Sequence, residues 1–455
     1  MEIKPKIDID VHDIIKKVQA LGATEAEVYL CNIKRLSIEA IKDKIEEAAY
    51  THTLGLGLRV AVGKRVACLG TSISRLKDIE NVLKRAVKIA RASPEDKSWV
   101  SLPRKLDKSD VYGVYDSKAE KISVNRVIGI VMDNIDKLKT FDKRVTPVGA
   151  SLTISIIEHT IGNSHSETVR RIETSITYAV GAKAQEDGKE GVYHETVYSK
   201  RLDIREYEKA TLKSAKRALE NLNAKPIETC KTDVILEGKV LAAILSSALA
   251  PAITADNVQQ KRSPLRGKLN SQILSEQLTL IDDPTRPWLY GTKEFDDEGV
   301  ATRRNTIISN GVLRSYIYDT YTALKEGRDS TGNAYRPSLS SMPKPWIHNL
   351  LVQGKNEVKL EDMIRDTKHG LVISSTIGYW LSNPVSGYVN ATVVHGYLVK
   401  EGEIVDYVKG VIISDNIYNM LKEKIEAIGK SEEREYYLNV YAPPIKIKEV
   451  TIAGK

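Results

Sequence analysis

Leu54-Gly55-Leu56-Gly57-Leu58-Arg59-Val60-Ala61-Val62 decides the fold of the first half of the chain, because an aliphatic side chain recurs at every second position. This alternation is typical of a β-strand with one buried face. Glu27-Val28-Tyr29-Leu30 and Leu36-Ser37-Ile38-Glu39-Ala40 share the period, and Val66 to Leu69 repeats it after the turn residues Gly63-Lys64. The segments together predict an antiparallel meander.

Apolar residues at helical spacing surround these strands and predict helices that cover the sheet. Strands resume after Pro147, so the order is strands, helices and strands again. We expect an α+β domain over residues 1–224, with an antiparallel sheet covered by helices. The predicted helices are Val11 to Leu21, Leu76 to Ala90, about Ser117 to Leu138, and about Asp203 to Asn221.

The second half, residues 225–455, consists mostly of short apolar runs between residues that favour turns. Asn310-Gly311 is the clearest hairpin signal, since both positions tolerate positive φ. The apolar run from Val240 to Ile253 is too short to span a bilayer and predicts a buried helix. We therefore expect a β-rich second domain of antiparallel strands.

Composition limits the classes of function. The chain has 455 residues, 42% of them hydrophobic and 28% charged, and a formal net charge of +8. The basic residues alternate with acidic ones and lack aromatic platforms, which favours an ordinary solvated surface over a nucleic-acid partner. The N-terminal sequence has no secretory apolar region, and the three cysteines, Cys31, Cys68 and Cys230, form no close pair. A cytoplasmic location, with no membrane partner, fits best.

Histidines offer no recognisable metal motif. His194-Glu195 begins like a zinc-protease helix, but no second histidine follows and the neighbouring residues alternate as in a strand. We expect His194 to be an exposed strand residue. His348, His369 and His395 are too widely spaced for a local ligand set, so we expect structural or exposed roles for them.

Asp296-Asp297-Glu298-Gly299 is the densest group of carboxylates followed by a glycine. Such residues could bind a hard cation or carry out acid–base chemistry, although the same pattern is typical of a solvated turn, which is the interpretation that we favour. The glycine pair Gly55 and Gly57 lacks the strand-to-helix context of a phosphate-binding loop. Nucleotide binding is therefore not predicted.

Several segments, in the same order, resemble the TldD/PmbA family over nearly the whole chain. Ordered agreement of this kind is more specific than any one motif. The matching segments are Ala26-Glu27-Val28-Tyr29, Leu54 to Val60, Ala86 to Asp96, Phe295 to Val300, Asn310 to Tyr316, Thr331-Gly332-Asn333-Ala334, His369 to Ile373 and Thr451-Ile452-Ala453-Gly454.

The resemblance implies a two-domain protein that works in proteolysis. TldD-type members carry zinc on a His-Glu-x-x-x-His motif and a cysteine near the C-terminus, and the metal activates a water molecule. In this chain the corresponding segment, Leu241 to Ala250, contains no His or Glu, and the last cysteine is Cys230. The resemblance is therefore to the PmbA branch, also called TldE, and it implies neither catalytic nor metal-binding residues here.

This resemblance predicts a non-catalytic subunit of a complex that acts on peptides or unfolded proteins. The subunit would pair with a TldD-type zinc protease subunit, which supplies the zinc. A homodimer of the isolated chain is a further expectation. The alternatives are a regulator that binds DNA gyrase, another topoisomerase or DNA, and a self-standing hydrolase with an unrecognised site. Candidate residues of a cleft or turn are Asp296, Asp297, Glu298, Gly299, Thr331, Gly332 and Asn333.

Overall fold

A computed structural model describes residues 9–73 and 76–455. The first domain is built on a six-stranded antiparallel sheet with the order β3-β2-β1-β4-β5-β6. The predicted meander and the return of strands after Pro147 are confirmed. Its strands are β1 Glu25–Ile41, β2 Lys44–Val62, β3 Arg65–Ser72, β4 Val145–Asn163, β5 Ser166–Glu186 and β6 Lys189–Ser199.

Helices cover one face of this sheet in two groups, because the strands are long enough to carry two separate cores. Even-numbered residues of β1 enter both cores: Val28 packs with the first two helices, and Ile38 packs with the last three. The predicted third helix is broken at Ile122 and Ser123, where Ser123 caps the longer piece. The helices are α1 Val11–Ala20, α2 Leu76–Ala92, α3 Ser117–Lys121, α4 Val124–Phe141 and α5 Ile204–Glu220.

The second domain contains two large sheets that share one core. Most strand pairs are antiparallel, as predicted, but β7–β14 and β13–β20 are parallel. The Asn310-Gly311 hairpin is confirmed, with a second arm of only two residues. The strands are β7 Cys230–Leu236, β8 Leu278–Asp282, β9 Asn305–Ser309, β10 Val312–Leu313, β11 Ala334–Tyr335, β12 Lys344–Pro345, β13 Leu350–Gly354, β14 His369–Ile377, β15 Tyr388–Lys400, β16 Glu403–Val408, β17 Ile412–Asn416, β18 Ile425–Ile428, β19 Glu435–Tyr437, β20 Val440–Ala442 and β21 Ile445–Ala453.

One buried helix, α6 (Gly238–Ala248), lies in the core of the second domain and contacts strands of both sheets. The prediction of a single helix from Val240 to Ile253 is wrong at its end, because Pro251 cannot continue an α-helix and a 3-10 turn follows at Ala250–Ile253. Four short helices lie in the connections. They are α7 Ala255–Gln259, α8 Thr320–Lys325, α9 Leu360–Arg365 and α10 Ile417–Glu423.

The uncovered face of the first sheet docks on the second domain. Leu339, from the loop after β11, lies against β2 and β3, where Gly57 and Gly70 leave room for its backbone. A Cβ atom at Gly57 would lie 2.7 Å from the Leu339 carbonyl oxygen, and one at Gly70 would lie 2.5 Å from the Leu339 carbonyl carbon. The glycines of the fold-deciding strand thus permit close contact between the domains.

Helix α5 ends the first domain and β7 begins the second. The boundary between residues 224 and 225 stays a prediction, since nothing further tests it. Within the described part of the chain, no helix is long and apolar enough to cross a membrane.

Candidate functional site

The predicted carboxylate group lies at the interface between the domains, buried rather than solvated. Asp296 and Glu298 are fully buried, and Asp297 is 5% exposed. Gly299 closes the turn with a φ of +80°. The predicted turn is present, but the prediction that water surrounds it is wrong, because the first domain covers it. We call these carboxylates and the charged groups around them the interdomain charge cluster.

Glu298 anchors one half of the interdomain charge cluster. Its Oε1 accepts a hydrogen bond from Arg59 Nη1 of β2 at 2.7 Å, and its Oε2 accepts one from the Thr320 backbone N–H at 2.7 Å. Arg59 also pairs with Glu27 of β1, which in turn pairs with Arg336 of the second domain. The charges therefore alternate in sign across the interface, and Glu27 and Glu298 raise the pKa of Arg59 against the opposing effect of burial.

Asp297 anchors the other half. Its Oδ1 accepts from Arg171 Nη2 of β5 at 3.0 Å, and its Oδ2 accepts from the Arg336 backbone N–H at 3.0 Å. Burial opposes ionisation of Asp297, but Lys293 and Arg171 outweigh it and hold the pKa of this carboxyl below its usual range. Asp297 is therefore a structural anion, poorly suited to accept a proton.

A histidine extends this half into the first sheet. His159 lies with Nδ1 2.8 Å from the Tyr29 hydroxyl and Nε2 2.8 Å from Glu173 Oε1. Glu173 also pairs with Lys200. Burial and then Arg171 lower the pKa of His159, while Glu173 opposes them. The ring is therefore held as a neutral link between Tyr29 and Glu173 at neutral pH.

Asp296 and Asp319 behave differently from Asp297. Asp296 accepts backbone hydrogen bonds from Glu298, Val300 and Ala334 at 2.9, 3.0 and 2.9 Å. Burial, followed by the neighbouring Glu298, raises the pKa of Asp296 well above its ordinary value and that of Asp319 to about 7. Both carboxyls thus resist ionisation, first because they are buried and then because Glu298 lies nearby.

Thr331, Gly332 and Asn333 form a second buried network next to the cluster. Asn333 Nδ2 donates to Asp282 Oδ2 at 2.6 Å, and the Gly332 carbonyl oxygen lies 3.1 Å from His348 Nε2. The Thr331 hydroxyl accepts from the Tyr318 backbone N–H at 2.8 Å. The three residues join a strand end to two loops. Their role in a cleft stays a prediction.

The interdomain charge cluster is arranged to hold the domains together. Each of the three predicted carboxylates accepts at least two hydrogen bonds from fixed groups, so none is left to bind a cation. Among the residues that the structure describes, the buried Nε atoms of Arg59, Arg171 and Arg336 have no hydrogen-bond partner. The cluster therefore depends on its charge pairing. Sequence reasoning missed the arginines because their partners lie on distant segments, although an arginine inside the alternating stretch 54–62 was a usable signal.

The sequence resemblance places the metal motif of zinc-bearing members in the segment that forms helix α6, and the side chains of α6 do not fit zinc. Its buried residues are aliphatic. Its two hydroxyls are already engaged, since Ser246 donates to the Ala243 carbonyl oxygen at 2.7 Å and Ser247 donates to the Tyr379 carbonyl oxygen at 2.9 Å. Zinc requires imidazole, thiolate or carboxylate donors. Among the described residues, no group of three or more such side chains is arranged to hold a metal ion.

A cavity of about 670 Å³ opens beside Ser246 and Ser247; we call it the α6 cavity. Its walls are aromatic, with the Tyr379 ring 5.0 Å from Trp380 and 5.2 Å from Tyr437 between centroids. Two cations, two serines, an asparagine, an imidazole and the tyrosine hydroxyls provide polar groups, and the lining contains no carboxylate. The lining residues are Ser246, Ser247, Tyr290, Lys293, Tyr335, Lys344, Trp346, Ile347, His348, Tyr379, Trp380, Tyr437, Leu438, Asn439 and Val440.

The α6 cavity was not predicted, because its lining comes from six separate segments with no shared local motif. Of the histidines, only His348 reaches it among the described residues. His395 is buried at the interface, 3.1 Å from Glu220 Oε2, and His369 and His194 are exposed. Exposure is confirmed for His194 and His369, whereas structural roles for His348 and His395 stay predictions.

Two family models match the chain. Residues 229–454 match the PmbA/TldA metallopeptidase C-terminal domain, and residues 26–90 match PmbA/TldA metallopeptidase domain 1. The α6 cavity and the three carboxylates Asp296, Asp297 and Glu298 fall within the first of these matches.

Curated relatives agree with the two matches. An uncharacterised protein of Methanocaldococcus jannaschii is 34% identical over 225 residues, which are 50% of this chain and 52% of that protein. The chain thus spans about half the length of the first curated relatives that it matches. A metalloprotease PmbA homolog of Haemophilus influenzae is 26% identical over 445 residues, covering 95% of this chain and 93% of that protein.

Two solved structures share the whole fold. TldE from Thermococcus kodakarensis superposes with a TM-score of 0.88 at 22% identity, covering 97% of this chain and 99% of that chain. A Thermotoga maritima protein described as a proposed modulator of a DNA gyrase superposes with a TM-score of 0.85 at 21% identity, with the same coverage. At these identities the likeness is one of fold.

Proposed function

The chain belongs to the PmbA/TldD metallopeptidase family, and we propose that within it the chain is the non-catalytic subunit of a cytoplasmic TldD/TldE-type complex. Its role would be to hold peptides or unfolded segments while a TldD-type subunit supplies the zinc and cleaves them. The donor set of α6 is the observation that carries this proposal. A helix that presents aliphatic side chains and engaged hydroxyls cannot replace two imidazoles and a general base.

The α6 cavity supports the peptide-holding part of the proposal. Its volume and aromatic walls suit amino-acid side chains, and Lys293 and Lys344 favour peptide carboxylates in a lining without acidic residues. The edge strand β19 contributes Tyr437 to the wall. An extended peptide could add to such an edge through backbone hydrogen bonds, which would make recognition tolerant of sequence.

The rim of the α6 cavity supports the pairing part. Trp380 and Leu381 are 58% and 68% exposed, and Val385 is 53% exposed on the following turn. Large apolar side chains grouped beside a cavity are typical of a surface that another protein covers. We propose that the TldD-type subunit binds this rim and thereby encloses the peptide in the cavity. A second copy of this chain would use the same rim when the partner is absent.

Reconstitution tests the proposal. Peptide cleavage is measured for this chain alone, for a TldD-type partner from the same cell, and for the mixture. We expect cleavage only where the partner is present, and faster cleavage in the mixture. Trp380→Ala should weaken association with the partner, whereas Tyr50→Ala, which removes an aromatic ring 61% exposed on the first domain, should leave it unchanged. Robust cleavage by this chain alone, free of partner, would contradict the proposal.

Regulation of a DNA gyrase or binding of DNA is the second candidate, supported by the net charge of +8 and by the description of the Thermotoga maritima neighbour. Phosphate contacts would make affinity fall steeply with salt concentration. A DNA titration at two ionic strengths distinguishes the outcomes. Saturable binding at low salt that weakens with salt supports this candidate, and no binding at low salt removes it.

A hydrolase built on Asp296, Asp297 and Glu298 is disfavoured, because these carboxylates are engaged in the interface.

A further inference from the structure

A second cavity, of about 480 Å³, lies between the two domains on a different part of the surface; we call it the arginine pocket. Its walls come from the end of β6, the start of α5, the loop before Tyr290 and the segment that leads into β19. The aromatic and cationic side chains around it are Tyr198, Arg201, Arg286, Trp288, Arg434, Tyr436 and Tyr441.

Two guanidinium groups in the arginine pocket lack anionic partners. Among the described residues, Arg286 and Arg434 form no salt bridge within 4.0 Å. Arg434 Nη2 donates to the Ser431 hydroxyl at 3.2 Å, while its Nε is buried without a partner. Burial, followed by Arg286, lowers the pKa of Arg434 although Glu357 and Glu432 oppose them. Two like charges therefore face one cavity, and among the described residues neither has a carboxylate within ion-pair distance.

The acidic residues of the pocket are occupied elsewhere. Asp203 caps α5 through a hydrogen bond from the Glu206 backbone N–H at 3.4 Å and lies 3.6 Å from Arg201. Glu206 pairs with Lys209 at 2.7 Å. Neither carboxylate forms a salt bridge with Arg286 or Arg434, so both guanidinium groups are open to an oxyanion from outside.

Trp288 adds a flat apolar wall to the arginine pocket, and its backbone is in a strained conformation. Its φ is +63°, a region that bulky L-residues rarely adopt and that costs about 1 kcal/mol or more. The tyrosines opposite are fixed across the interface, since the Tyr436 hydroxyl accepts from the Tyr198 backbone N–H at 3.2 Å. The pocket thus combines a rigid aromatic lining with two unpaired cations.

We propose that the arginine pocket binds an organic oxyanion that carries a flat ring, either a phosphate ester or a carboxylate. Arg286 and Arg434 would hold the oxyanion through fork-shaped hydrogen bonds, and the Trp288 indole would lie against the ring. Because the walls belong to both domains, such a ligand would also tie the domains together. The inference does not depend on the proposed protease role.

Calorimetric titration of the full chain tests the proposal, with phenyl phosphate and phenylacetate as probes and with phenol and inorganic phosphate as the ring and oxyanion alone. We expect saturable binding of at least one probe, tighter than either fragment, and a higher melting temperature of the complex. The tighter probe identifies the phosphate or carboxylate class. No saturable binding of either probe, or fragments that bind as tightly as the probe, would overturn the proposal.

Variants locate the binding. Arg286→Gln and Arg434→Gln should each weaken the probe about tenfold or more, since each removes a charged hydrogen bond. Trp288→Gly, which tolerates the positive φ, should weaken ring-bearing probes and leave inorganic phosphate unaffected. Arg304→Gln is the matched control, because that arginine is exposed and lies outside the pocket. Unchanged binding in the correctly folded Arg286 and Arg434 variants would contradict the assignment.

Discussion

The interdomain charge cluster and the α6 cavity are both rich in polar side chains, yet they are built in opposite ways. In the cluster, Glu298 and Asp297 each face an arginine of the other domain within 3.0 Å and lie away from water. In the cavity, Lys293 and Lys344 line open space without a salt bridge among the described residues, although Lys293 also favours the Asp297 anion of the cluster. The first arrangement satisfies its own charges, and the second leaves charge available for a ligand.

This contrast shows why a group of carboxylates in a sequence is weak support for catalysis. Asp296, Asp297 and Glu298 have the residue types of a cation or acid–base site, but the other domain supplies their partners. In this cluster the buried charges find their partners across the domain interface, so they join the two domains. Function is better sought where polar groups and aromatic walls surround a space, as they do beside α6.

The largest predicted effect is loss of one charge from the cluster. Arg59→Met would leave Glu27 and Glu298 without their shared cation, and removal of one partner from a buried pair costs about 3–5 kcal/mol. We expect the free energy of unfolding to fall by this amount in chemical denaturation. Arg365→Met is the control, since its ion pair is 72% exposed on the arginine side and should change stability by less than about 1 kcal/mol. Equal losses in both variants would contradict the structural role of the cluster.

A smaller loss of stability is expected when a side chain is added at the contact between the domains. Gly70→Ala places a methyl group 2.5 Å from the Leu339 backbone, and overpacking of this kind costs about 1–3 kcal/mol. Gly129→Ala, in helix α4, meets nothing within 4 Å and should instead stabilise the protein by up to about 1 kcal/mol. Melting temperatures that shift in opposite directions would support the interface, and a neutral Gly70→Ala would count against it.

A further prediction concerns pH. The pKa of Asp319 is raised from 3.8 to about 7 in the folded protein by burial and then by Glu298, so the native state keeps a proton that the unfolded state loses. Its contribution therefore makes stability fall as pH rises from about 4 to 7. Asp319→Asn keeps an acceptor for the start of α8 and removes this titration. The stability of this variant should therefore fall less steeply with pH than that of the unchanged protein. Melting curves at four pH values check this, and parallel declines would refute it.

Much of the first domain could be predicted from the sequence, because its signals are local. The alternation from Leu54 to Val62 gives the strand, and Asp203 marks the start of α5 where the structure places it. The burial of Asp296 could not be predicted, since it depends on how the first sheet docks on the second domain. The α6 cavity was equally hidden, because residues as distant as Ser247 and Tyr437 meet only in the folded chain.

Zinc content of the purified chain tests the central claim most directly. The protein, free of any partner, is incubated with excess zinc, dialysed and analysed by mass spectrometry for bound metal. Because α6 presents no imidazole, thiolate or carboxylate donor, we predict far less than one zinc per chain. One tightly held zinc per chain, retained at neutral pH and accompanied by peptide cleavage, would contradict the non-catalytic assignment.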